Sequence, residues 1–79
     1  MRLEVRLDHD GDAWGAASES PEIYGGVVGV GRSREAAIAD FLSALRFHIE
    51  GLREDGMTVP DVDGIDIREI VESRELLAA

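Results

Sequence analysis

Cysteine is absent from this chain, and so are lysine, asparagine and glutamine. Without cysteine there are no disulfides and no thiolate metal sites to staple a small fold. Two histidines, His9 and His48, are too few for a structural zinc site unless carboxylates help. Large aromatics are also scarce, with one Trp, one Tyr and two Phe in 79 residues. A core built from so short a chain is marginal alone, which makes self-association an expectation from the outset. No apolar run reaches the length that crosses a bilayer. The start, Met1-Arg2-Leu3-Glu4, is charged and alternating and has no signal-peptide core, so a soluble cytoplasmic protein is expected. Positive charge is in short supply as well: eight arginines face 17 acids, a formal charge of -9. Such a domain repels phosphate backbones, so direct nucleic-acid binding is not expected. A basic protein partner suits it better.

What is present is patterned. Met1, Leu3, Val5 and Leu7 alternate with Arg2, Glu4, Arg6 and Asp8, a period of two that predicts a half-buried antiparallel strand over residues 1–8. Asp10-Gly11 within His9–Asp12 is a hairpin-turn signal. Residues 13–19 then form the return strand, with Trp14, Ala16 and Ser18 on one face and Ala13, Gly15, Ala17 and Glu19 on the other. Pro21 interrupts it, because proline has no N–H for a central ladder. Val27–Gly31 reads as a short third strand whose glycines suggest a bulge or an edge. Ser33 is a good N-cap, and Ala37, Ile38, Phe41, Leu42, Leu45, Ile49 and Leu52 recur at helical spacing. The predicted helix spans about 34–55, with Gly56 as its C′ residue and Pro60 beyond. Residues 61–79 stay open. Ile65, Ile67 and Val71 could line a strand, with Glu69 an exception. Asp66 and Glu69 could instead open a helix carrying Ile67, Ile70, Val71, Leu77 and Ala78, and the pattern leans that way. The fold class expected is α+β, a three- to four-stranded antiparallel sheet with one long helix on one face.

One stretch imitates a metal site. In "LDHDGDAWGAASE" the acids Asp8, Asp10, Asp12 and Glu19 fall at positions one, three, five and twelve of an EF-hand loop. That loop needs glycine at its sixth position, where this chain has Ala13, and a helix on each side, where the pattern predicts a strand. A solvated acidic hairpin tip is the simpler reading, and no metal or other cofactor is expected.

The segment "DHDGDAWGAASESPEIYGGVVGVGRSREAAIADFLSALRFHIEGLREDGMTVP" resembles the HicB-like antitoxins. The resemblance is carried in order by Asp10, Gly11, Trp14, Ala16, Pro21, Ile23, Gly25, Gly31, Ser33, Glu35, Ala36, Gly56 and Pro60, and covers residues 1–60. Two positions depart from it: Tyr24 stands where the family has its second proline, and Gly26 where it often has cysteine. The resemblance implies a partial RNase H-like fold of three strands, a long helix and one further strand. It therefore favours a strand near Ile65–Val71 over the helix. It also implies a single non-catalytic domain, without the DNA-binding module many family members carry, that neutralises a small basic RNA-cleaving toxin of the HicA-like kind.

On that reading the contact residues are the exposed acids Asp8, Asp10, Asp12, Glu19 and Glu22, with Tyr24 as an anchor. The alternative is an orphan domain of the same fold acting as a homo-oligomeric module. A homodimer or tetramer is expected either way, paired through the glycine-rich strand or the C-terminal segment. A metal-dependent nuclease is the outsider; it needs converging carboxylates, and only Glu4, Asp8, Asp40 and Glu50 are on offer. Trp14 is expected in the core, and His48, beside the apolar stripe, is expected to meet water or a backbone carbonyl.

Overall fold

The computed structural model describes residues 1–71. Three strands come first, β1 (Arg2–Asp10), β2 (Ala13–Ser20) and β3 (Gly25–Gly31). The long helix α1 (Arg34–Glu54) follows, and then β4 (Asp66–Val71). The architecture is α+β: one four-stranded sheet in the order β3-β2-β1-β4, with α1 packed on one face.

β1 runs to Asp10, two residues past its predicted end, because His9 and Trp14 pair across the ladder and their rings stack at 4.4 Å. The loop is thereby cut to Gly11-Asp12. Gly11 takes φ +63°, a conformation that glycine adopts without a Cβ clash. β2 and β3 pair in unbroken register from Trp14↔Gly31 to Ser20↔Gly25, so the glycines of β3 mark an edge and not a bulge.

The three N-terminal strands form the expected antiparallel meander, but β4 joins β1 in parallel, which makes the sheet mixed. A chain that leaves one edge through a helix and returns at the other edge arrives in the original direction. The described part of the C-terminal segment is thus a strand, and Asp66 does not cap a helix: its N–H donates to the Met1 carbonyl at 2.8 Å. Leu77 and Ala78, the rest of the alternative helical stripe, lie outside the described residues. Glu69, the misfit in the strand pattern, points to the helix side and meets Arg34 at 2.8 Å.

Alternation decides the core. Leu3, Val5 and Leu7 of β1 and Ala16 of β2 are buried beneath Ala37, Phe41, Leu45 and Ile49 of α1, with Ile23 and Val27 closing one end. Trp14 packs against this cluster only in part. Ser18 is buried among apolar neighbours and donates its hydroxyl hydrogen to the Glu4 carbonyl, so no polar atom is stranded there. The helix begins as predicted: Ser33 Oγ accepts from the Ala36 N–H at 3.0 Å. It ends at Asp55, and Gly56 follows with φ +80°. Arg34, Glu35, Asp40, Ser43, Arg46, Glu50 and Arg53 face solvent, the opposite stripe from the core.

Close approach is the other determinant. A Cβ on Gly29 would stand 2.3 Å from the Phe41 nitrogen, and one on Gly31 would stand 2.6 Å from the Ala37 nitrogen. Both are backbone contacts that cannot yield without moving the helix. The absence of side chains at Gly29 and Gly31 is therefore what lets α1 lie directly on that end of the strand.

Candidate functional site: the acidic hairpin and the uncovered sheet face

The face of the sheet opposite α1 carries no layer among the described residues. By alternation it presents Arg2, Glu4, Arg6 and Asp8 from β1 and Ala13, Gly15, Ala17 and Glu19 from β2. β3 adds Val28 and Val30, which are 68% and 70% exposed. The face is thus divided, charged over β1 and, apart from Glu19, apolar over β2 and β3.

At one end of this face is the hairpin tip. Asp8, Asp12, Trp14, Gly15, Val30 and Arg32 contribute to an open groove of about 660 Å³ there. Gly15 has a local role in shaping it. A Cβ at that position would lie 3.0 Å from Asp8 Oδ1, so glycine leaves the Asp8 carboxylate its place over the strand. Asp8, Asp10 and Asp12 are all exposed, and none has an ion-pair or hydrogen-bond partner for its carboxylate among the described residues. Other acids are engaged. Asp40 accepts from the Val30 N–H at 2.8 Å, Asp63 pairs with Arg46 at 3.1 Å, and Asp61 Oδ1 accepts from the Asp63 N–H at 3.1 Å.

The predicted contact residues fall into two groups. Glu19 near the end of β2 and Glu22 and Tyr24 in the proline loop lie at the far end of β2 from the tip. Seven residues of extended strand separate Asp12 from Glu19, roughly 23 Å at 3.3 Å per residue. The four acids of the EF-hand-like spacing are therefore not gathered around one point, and the element entering the loop is a strand. The carboxylates considered for a nuclease also diverge. Glu4 and Asp8 are on the uncovered face, Asp40 holds the backbone of β3 from the helix, and Glu50 is exposed near the end of α1. Among the described residues no three His, Asp or Glu side chains are grouped as metal ligands.

The proline loop is braced. Ser20 caps a short 3₁₀ turn (Pro21–Ile23), and His48 Nε2 is 2.7 Å from the Ile23 carbonyl, to which it donates. His48 thus meets the backbone carbonyl expected of it. Tyr24 is 49% exposed, and its hydroxyl donates to the Thr58 carbonyl at 3.1 Å. Its backbone sits at φ +56°, a value closed to proline.

Sequence reasoning missed Val28, Val30 and Phe47 as surface features. Phe47 is 81% exposed on α1. The signal for the valines was legible in "GGVVGVG", where alternation places Val28 and Val30 on the face opposite Gly29 and Gly31. No helix of the described residues is long and apolar enough to cross a membrane. Compared with protein-family models, with curated proteins and with solved structures, the chain matches none.

Proposed function

We propose that this chain is a non-catalytic protein-binding domain of antitoxin type, which neutralises a small basic RNA-cleaving toxin by covering its active site. The observation that carries the reading is the hairpin tip: Asp8, Asp10 and Asp12 are exposed and unpaired among the described residues, and they line a groove together with Gly15, Val30 and Arg32. A protein that cleaves RNA must present positive charge to phosphates. Unneutralised carboxylates on a rigid hairpin compete for that charge and steer the encounter. Engaged carboxylates such as Asp40 and Asp63 have already spent that capacity inside the fold. The β-β-β-α-β order is the one the HicB-like resemblance implies, and it supports the same reading. Of the two acidic groups, the tip is the stronger contact, because the loop holding Glu22 and Tyr24 is committed to internal hydrogen bonds.

The test asks whether an adjacent reading frame encodes a small basic protein and pairs that protein with this chain. One equivalent of the domain should abolish that protein's RNA cleavage, and the two should co-purify. Full cleavage in the presence of excess domain would remove the antitoxin reading. The second reading, an orphan homo-oligomeric module, is favoured by the exposed valines of β3.

A further inference from the structure

The two edges of the sheet are treated differently. β4 carries Asp66, Arg68 and Glu69, charges of the kind that keep an edge from pairing. β3, "GGVVGVG", has no charge, no proline and no bulge along its seven residues. Its free backbone groups can be identified. Val30 gives its N–H to Asp40 and not to β2. Backbone direction alternates along a strand, so Gly26 and Val28, of the same parity as Val30, also turn their N–H and C=O groups away from β2. Asp40 blocks the edge at Val30, and at the other end the Tyr24 N–H is held by the Pro21 carbonyl. Gly26 and Val28 remain between these two stops.

Beside that open stretch, α1 offers a groove of about 490 Å³ whose lining includes Gly26, Val28, Ala44, Phe47, His48 and Gly51. The small residues Ala44 and Gly51 flank Phe47 along the helix at three and four positions, so a projecting ring and a hollow lined largely by small and apolar residues, with Asp55 among them, sit on one surface. A two-fold interface requires that both halves be present on each copy.

We infer that β3 pairs antiparallel with β3 of a second copy about a two-fold axis at Val27, with Phe47 of each copy seated in the other's groove. Gly26 then faces the partner's Val28, and Val28 the partner's Gly26. Each such pair exchanges two hydrogen bonds. The four bonds leave the Asp40–Val30 contact intact. A stable dimer buries on the order of 800 Å² per partner. A seam this short does not reach that alone, so the interface must also bury the groove and Phe47, whose ring adds roughly 150 Å². Because each copy carries a formal charge of -9, association should tighten as salt rises. Toxin capture should weaken under the same change, so the inference does not depend on the antitoxin reading and the two can fail separately.

The experiment is sedimentation equilibrium on the full chain at tens of micromolar, at low and high salt, with Phe47→Glu, Val28→Lys and the Asp10→Arg/Asp12→Arg double variant. The wild type should be a dimer that tightens with salt. Phe47→Glu and Val28→Lys should each weaken it by about a hundredfold. The tip variant should leave it unchanged. Phe47 and Val28 are mostly exposed, so the circular dichroism of either variant should match the wild type, and its urea midpoint should match that of the wild type diluted until the dimer dissociates, which shows that folding is not at issue. A wild type that stays monomeric at both salts overturns the inference. So does a dimer that survives both substitutions, or one that the tip variant breaks.

Discussion

His48 lies between Leu45 and Leu52 on α1, yet its role is a single bond, 2.7 Å from Nε2 to the Ile23 carbonyl. That carbonyl belongs to a fully buried residue, and the bond ties the proline loop to the helix across 25 residues of chain. Removing the donor leaves the carbonyl without its partner. His48→Ala should therefore destabilise the fold by about 1–2 kcal/mol. Urea unfolding followed by circular dichroism will show this as a lower midpoint with an unchanged slope. An unshifted midpoint would mean that water replaces the imidazole at no loss. Tyr24 is held in a similar way by Thr58, at a positive φ that proline could not take. Its place in the loop was legible, but its left-handed backbone was not, since nothing in the local sequence demanded it.

At the scale of elements, alternation and helical spacing were enough to locate β1, β2 and α1 and to name most of the core. Leu3, Val5, Leu7, Ala37, Phe41, Leu45 and Ile49 are buried as their spacing required. The C-terminal segment was ambiguous for a physical reason. Its identity as a strand depends on pairing with β1, more than sixty residues earlier in the chain, and Glu69 breaks the pattern only because Arg34 waits above it. The glycines of β3 hinted at an edge without disclosing the contact that requires them. Gly29→Ala drives a Cβ into the backbone of Phe41, and we expect a loss of about 3 kcal/mol, a large share of the stability of so small a domain. Gly51, inside α1 with open space around it, should respond in the opposite way. Gly51→Ala, measured in the monomeric Phe47→Glu background, should stabilise by about 1 kcal/mol through helix propensity. Denaturation curves that move in the same direction for both would refute the close-packing account of β3.

At the scale of the whole molecule, charge was legible in amount but not in arrangement. The acids of the hairpin and of the proline loop look contiguous in sequence, and β2 holds them at its opposite ends. The same separation argues against the calcium reading of Asp8, Asp10, Asp12 and Glu19. Calorimetric titration with calcium should give only the weak, unsaturable heats of scattered surface carboxylates. A micromolar one-site isotherm would require Glu19 to approach the tip, which the sheet does not permit.

The most direct test of the proposed function is the association rate of the domain with the small basic protein that this function predicts in an adjacent reading frame, measured on a surface at two salt concentrations. If the unpaired tip carboxylates steer capture, the wild type should associate fast and slow markedly as salt rises. The Asp10→Arg/Asp12→Arg variant should associate about tenfold more slowly at low salt and lose most of that salt dependence. Identical association rates and salt slopes for the two proteins would contradict the account and move the contact away from the hairpin.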